Sequence, residues 1–188
     1  LRLGIKGIVA PMVESEFAVS KFVDSINQRV TLFGIDRPKI FINIETIQAA
    51  KASKNIFKEY HAHLDGIVVG RSDLSKSMGL GKKYVDDKRV MLEVTKVLEN
   101  AKSYGLRTKM GGTVSRSSAS HIIDLNSQGL LDFFETRAVI YEIKKTKDVV
   151  SSISSALEYE QLLLDRRQHF HDTKAEFFKG RINNIEER

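Results

Sequence analysis

Along the first 141 residues, short apolar runs alternate with stretches in which apolar residues recur every three or four positions. That alternation predicts buried strands interleaved with amphipathic helices. Residues 7–13 read as a first strand ending in Glu14, and Val19, Phe22, Val23, Ile26 and Val30 as the apolar face of the helix that follows. Beyond Pro38 the run KIFINI (39–44) is a second strand ending in Glu45 and Thr46, with a helix over 47–60. Ile67, Val68 and Val69, closed by Gly70, read as a third strand buried on both faces. A polar loop through Lys82, Lys83 and Asp86 leads to the stripe Val90, Val94, Val97, Leu98 and Ala101, which Gly105 is placed to end. Residues 106–111 are strand four, Ser115 or Ser117 can cap a helix holding Ile122 and Ile123, and strand five begins over 131–134 and ends in Glu135, Thr136 and Arg137.

Five βα units in succession predict an α/β fold whose parallel strands are neighbours in chain order. After them Val149, Ile153, Ala156, Leu157 and Leu164 trace one helical face, and Phe170, Phe177 and Phe178 follow among alternating charges. The expected organisation is a βα body over residues 1–165 and a helical extension over 166–188, whose three phenylalanines either dock on another subunit or belong to a frayed C-terminus.

Chemistry enters at the strand ends, because ligands bind at the C-terminal edge of parallel sheets. Glu45 and Asp73 lie 28 positions apart, about one βα unit, so their carboxylates should stand at the same edge of adjacent strands. Two carboxylates there could share one cation, and Mg²⁺ suits such a site, with waters and an oxygen-rich substrate completing its octahedron. Asp73 could instead cap a following helix. Arg137, ending what reads as the last strand, could grip a carboxylate bidentately or pair with Glu135 or Glu14.

The segments PMVES (11–15), INIETIQAA (42–50) and DGIVVGRSDLSKSMGL (65–80), in that order, resemble the HpcH/HpaI aldolase/citrate lyase β-subunit family of phosphoenolpyruvate/pyruvate-type TIM barrels. The resemblance implies a (β/α)8 barrel of which this chain carries about strands 4 to 8, with residues 1–165 as a partial lyase domain. It implies that a preceding segment of roughly 70 to 90 residues, carrying the first three units and the enolate-stabilising basic residue, is absent from this sequence. By the same resemblance Glu45 and Asp73 hold the catalytic Mg²⁺ or Mn²⁺, and the backbone amides of Gly70, Arg71 and Ser72 bind the carboxylate of a pyruvate-like substrate. Many members carry proline where this chain has Arg71. The implied reaction is metal-dependent carbon–carbon cleavage of a 2-oxo acid or an acyl-CoA thioester through a metal-stabilised enolate, in a homo-oligomer.

Composition narrows the alternatives. The 188 residues include no cysteine, which removes disulfides, thiolate metal sites and cysteine nucleophiles and is compatible with a cytoplasmic location. No apolar segment approaches a membrane span. The net charge of +6 is spread over residues 1–141 without a basic run or aromatic–basic alternation, so nucleic acid is not an expected partner. His61 and His63, like His169 and His171, are two apart and diverge on a helix, so neither pair reads as a metal site. Two other readings stay open: a catalytically silent barrel serving assembly or ligand binding, and a flavodoxin-like Mg²⁺-binding signalling domain with strand order 2-1-3-4-5.

Overall fold

A computed structural model describes residues 4–187. One curled sheet holds β1 (Gly7–Ala10), β2 (Lys39–Ile44), β3 (Gly66–Gly70), β4 (Arg107–Gly111), β5 (Phe133–Glu135) and β6 (Ile140–Glu142), in chain order. The first five strands are parallel, and β6 folds back antiparallel on β5. Between and after them come α1 (Glu16–Phe33), α2 (Ile47–Tyr60), α3 (Arg71–Ser77), α4 (Lys88–Ser103), α5 (Ala119–Ser127) and α6 (Val149–Glu186). Chain-order strands form one stretch of barrel wall and set aside the doubly wound flavodoxin order.

The helices begin where polar side chains satisfy free backbone amides. The Ser15 hydroxyl accepts from the Ala18 amide and Thr46 from Ala49, while the Asp87 and Asp148 carboxylates accept from Arg89 and Ser151. Helices α1, α2 and α4 lay their apolar stripes on one face of the sheet. Ile40, Ile42, Ile44, Ile67, Val69, Met110 and Phe134 are fully buried there, against Val19 and Val23 of α1, Ile56 and Phe57 of α2, and Val90, Val94 and Leu98 of α4.

Two elements differ from the sequence expectation. The segment after Gly70, read as a polar loop, opens with α3; it has a single apolar anchor, Leu74, and so shows no helical stripe. Strand five is not the last: a tight turn, in which the Thr136 amide donates to the Val139 carbonyl at 2.9 Å, returns the chain as β6. Phe134 stacks on Tyr141 with ring centres 5.0 Å apart, and the outer edge of β5 is covered. Three residues are too short for a period-two pattern to register. The first strand also stops early, at Ala10, because Met12 takes up a left-handed conformation (φ 52°) that turns the chain toward β2.

Helix α6 starts against the body through Val149, Ile153 and Ala156 and continues unbroken to Glu186. Leu157 and Leu164, expected to share that packing, are 38% and 51% exposed, and Leu157 instead borders the cleft at the strand ends.

Candidate functional site

The C-terminal ends of β2 to β5 open onto one cleft of about 550 Å³, and Glu45, Gly70, Ser72, Asp73 and Arg137 all line it. Five of the six residues singled out from sequence therefore come together. Glu45 follows β2 and is buried. Its Oε1 accepts from the Met12 amide at 2.8 Å and its Oε2 from Asn43 Nδ2 at 3.2 Å. The strained turn at Met12 thus aims a backbone donor at this carboxylate. Gly70 makes room for it on the next strand, since a Cβ there would stand 2.7 Å from Glu45 Oε2.

Asp73 lies in the first turn of α3 and makes no capping hydrogen bond. Its only ion-pair partner among the described residues is Lys76, at 3.0 Å. Both side chains are about half exposed, so this bond is weak and free to exchange.

Arg71 is the exception. Its side chain turns away from the cleft and is fully buried. Nε donates to the Gly111 carbonyl at 3.1 Å, Nη2 to the Gly112 carbonyl at 3.3 Å and to Ser118 Oγ at 3.2 Å, and Nη1 pairs with Asp86. Asp86 in turn accepts from the hydroxyls of Ser117 and Ser118. Burial lowers the guanidinium pKa from its ordinary value, and the Asp86 carboxylate opposes that shift. Arg71 is not among the residues that line the cleft.

Ser72 and Thr113 share a hydroxyl–hydroxyl bond of 2.7 Å across the cleft wall. Thr113 has φ 53°; it and Met12 are the two non-glycine residues with positive φ among those described, and both contact a residue of the site. Strained backbone of this kind concentrates at functional sites. Arg137 is exposed and forms no ion pair among the described residues, with Glu135 and Glu14 otherwise engaged. Glu135 pairs at 3.2 Å with buried Lys109, whose ammonium also lies 5.3 Å from the Phe41 ring centre, and Glu14 accepts from the Thr46 hydroxyl.

Sequence reading missed Asn43, Lys82, Glu135 and Glu160 as cleft residues. Asn43 was legible, being two positions before Glu45 and hence on the same face of β2. Glu160 comes from α6, whose placement no local pattern fixes.

The sequence profile of the HpcH/HpaI aldolase/citrate lyase family matches residues 1–121. No curated protein sequence matches the chain. Among solved structures, the citrate synthase SbnG superposes with a TM-score of 0.57 at 19% identity, over 87% of this chain and 66% of that one. A citrate lyase from Burkholderia xenovorans LB400 gives 0.60 at 12% identity over 70% of this chain and 44% of its own length. A malate synthase from Haloferax volcanii gives 0.60 at 17% over 70% and 38%. The chain thus spans less than two thirds of these structures, and at such identities the likeness establishes the fold. Matching well over half of the chain, the profile settles the relationship: the chain belongs to the HpcH/HpaI aldolase/citrate lyase family.

Proposed function

We propose that this chain forms the metal-holding part of a carbon–carbon lyase, with Glu45 and Asp73 as ligands of one Mg²⁺ or Mn²⁺. The observation that carries this is the state of Glu45. A carboxylate 8% exposed is held by one amide and one asparagine, with no cation in ion-pair range among the described residues. Burying an ionised group without a countercharge is unfavourable. A divalent cation between Glu45 and Asp73 would supply that charge. No group of three or more histidine or acidic residues converges among those described, which suits an ion that takes one or two carboxylates and fills its shell with water and substrate oxygens.

When bound, such an ion would act as a Lewis acid toward the charge that develops on carbon–carbon cleavage. The rest falls to the chain. The amides of Gly70, Arg71 and Ser72 lie at the end of β3, where they would take the carboxylate of a 2-oxo acid or the corresponding end of an acyl thioester. Arg137, exposed in the cleft and without an ion-pair partner among the described residues, would hold a second carboxylate of the substrate. The strands would correspond to the fourth to eighth of the family barrel. Residues 1–165 would be the lyase domain, and 166–188 a helical extension joining subunits of a homo-oligomer.

Calorimetric titration of the full-length protein with Mn²⁺ tests the site. Glu45→Gln or Asp73→Asn should each lower affinity on the order of 100-fold, since each removes one of two anionic ligands. The double variant should lose little more, because ligands of one ion act as a unit. Parent-like binding by both single variants would place the ion elsewhere.

A further inference from the structure

The cleft wall between β3 and β4 is made by two segments that approach closely: Arg71–Asp73 and the loop 111–114. A Cβ on Gly112 (φ 82°) would stand 2.5 Å from the Ser72 amide nitrogen and 2.6 Å from that of Arg71. The space left by the missing side chain therefore lies directly over those nitrogens. Besides the Ser72–Thr113 bond, the Arg71 guanidinium holds this loop through the carbonyls of Gly111 and Gly112. A third segment joins by Asp86, which belongs to the same loop as the cleft residue Lys82 and clamps the guanidinium from the other side. One buried fork thus ties together three separate stretches of the cleft wall.

We propose that Arg71 is a positioning residue: held by Asp86, its guanidinium fixes the 111–113 loop and the Lys82 loop against the Ser72 turn and so sets the opening through which a substrate anion reaches the cleft. A buried ion pair alone would do as much for the fold with one contact. Arg71 uses all three guanidinium nitrogens on four different residues, and two of its acceptors are main-chain carbonyls of the cleft wall. That geometry needs the planar fork and cannot be reproduced by a point charge. The inference rests on the reading of the cleft as an anion-accepting metal site for its binding arm only.

The test uses Arg71→Lys, which keeps the charge and loses the fork, with Asp86→Asn as a second variant should the first fail to fold. Amide hydrogen exchange is followed at Tyr84, Asp87, Ser115 and Ser118, each hydrogen-bonded within the two tied loops. Oxalate, an anion resembling the planar head of a 2-oxo acid, is titrated calorimetrically in the presence of Mn²⁺. Exchange at those four amides should rise by about tenfold while strand amides keep their protection, and oxalate should bind about tenfold more weakly with Mn²⁺ affinity unchanged. A uniform rise in exchange across all strands would reduce Arg71 to a stability residue and overturn the proposal, as would parent-like oxalate binding. If the parent binds neither Mn²⁺ nor oxalate, the metal-site reading fails, and the exchange pattern alone decides the role of Arg71.

Discussion

On the helix-covered face of β2, Ile40, Ile42 and Ile44 are fully buried, whereas Phe41, Asn43 and Glu45, which alternate with them, look into the curve of the half-barrel. The same division runs across the sheet. Ile67, Val69 and Met110 pack under helices, while Lys109 and Glu135 pair on the inner face. One face is apolar and close-packed; the other carries charges whose partners are few and specific. The first face makes the fold and the second spends little of that stability on keeping polar groups in place, which is how one strand can serve both ends.

Paired substitutions on adjacent residues of β2 would break this comparison most directly. Ile42→Ala leaves a cavity under the helices and should lower stability by about 3 kcal/mol in urea unfolding. Asn43→Ala, one residue on, should stay within about 1 kcal/mol, because it removes one hydrogen bond on a partly open face. Asn43→Ala should nevertheless weaken Mn²⁺ binding, since Asn43 orients Glu45. Equal losses of stability from the two variants would mean that the faces are not distinct.

The covered face was legible in the sequence because its signal is local and repetitive. Val90, Val94, Val97, Leu98 and Ala101 are all buried as their spacing predicts, and Gly105 (φ 72°) follows the end of α4. The inner face was legible only where a residue stands at a strand end. Glu45, Gly70, Ser72, Asp73 and Arg137 reach one cleft because strand order in a parallel sheet fixes which ends are neighbours. Arg71 was placed by its backbone alone. Its side-chain partners, Asp86, Gly111, Gly112 and Ser118, lie 15 to 47 positions away, and no periodicity encodes them. Likewise β6 depends on Phe134 meeting Tyr141 across a turn, a contact that three residues cannot announce.

A second contrast concerns charge, and it should show in the pH dependence of stability. Glu45 has no cationic partner among the described residues, whereas Asp132, at the opposite end of the strands, takes Lys102 Nζ at 2.6 Å and the Thr108 amide at 2.8 Å. Burial pushes the Asp132 carboxyl up, but the hydrogen bond from Lys102, with those from Thr108, outweighs it and the net shift is downward. A depressed folded pKa means that the unfolded chain binds the proton first. The contribution is therefore complete above the unfolded value of 3.8 and lost as pH falls through the folded one. Asp132→Asn should lower stability at neutral pH by roughly 1 to 3 kcal/mol and flatten the acid limb of the stability curve. An acid limb unchanged in the variant would show that the pair contributes nothing to it.

The mildest effect on the fold should come from the far half of α6, where the division between covered and open faces recurs on a single helix. Val149, Ile153 and Ala156 are buried against the body, yet Phe170, Phe177 and Phe178 are 55%, 65% and 61% exposed. A helix that leaves its body with an apolar stripe and no partner among the described residues gains no packing from that stripe. Removing residues 166–188 should accordingly leave the unfolding free energy of the body, read by urea titration, within about 0.5 kcal/mol of the parent, as expected for an exposed segment. If the stripe is completed by a second copy, the same truncation should lower the mass measured by light scattering. Aromatic side chains of this size are typical anchors of protein interfaces, and their loss removes the contact rather than weakening it. A truncated protein with an unchanged number of subunits would detach the extension from assembly, while a large fall in the unfolding free energy would show that α6 supports the body along its whole length.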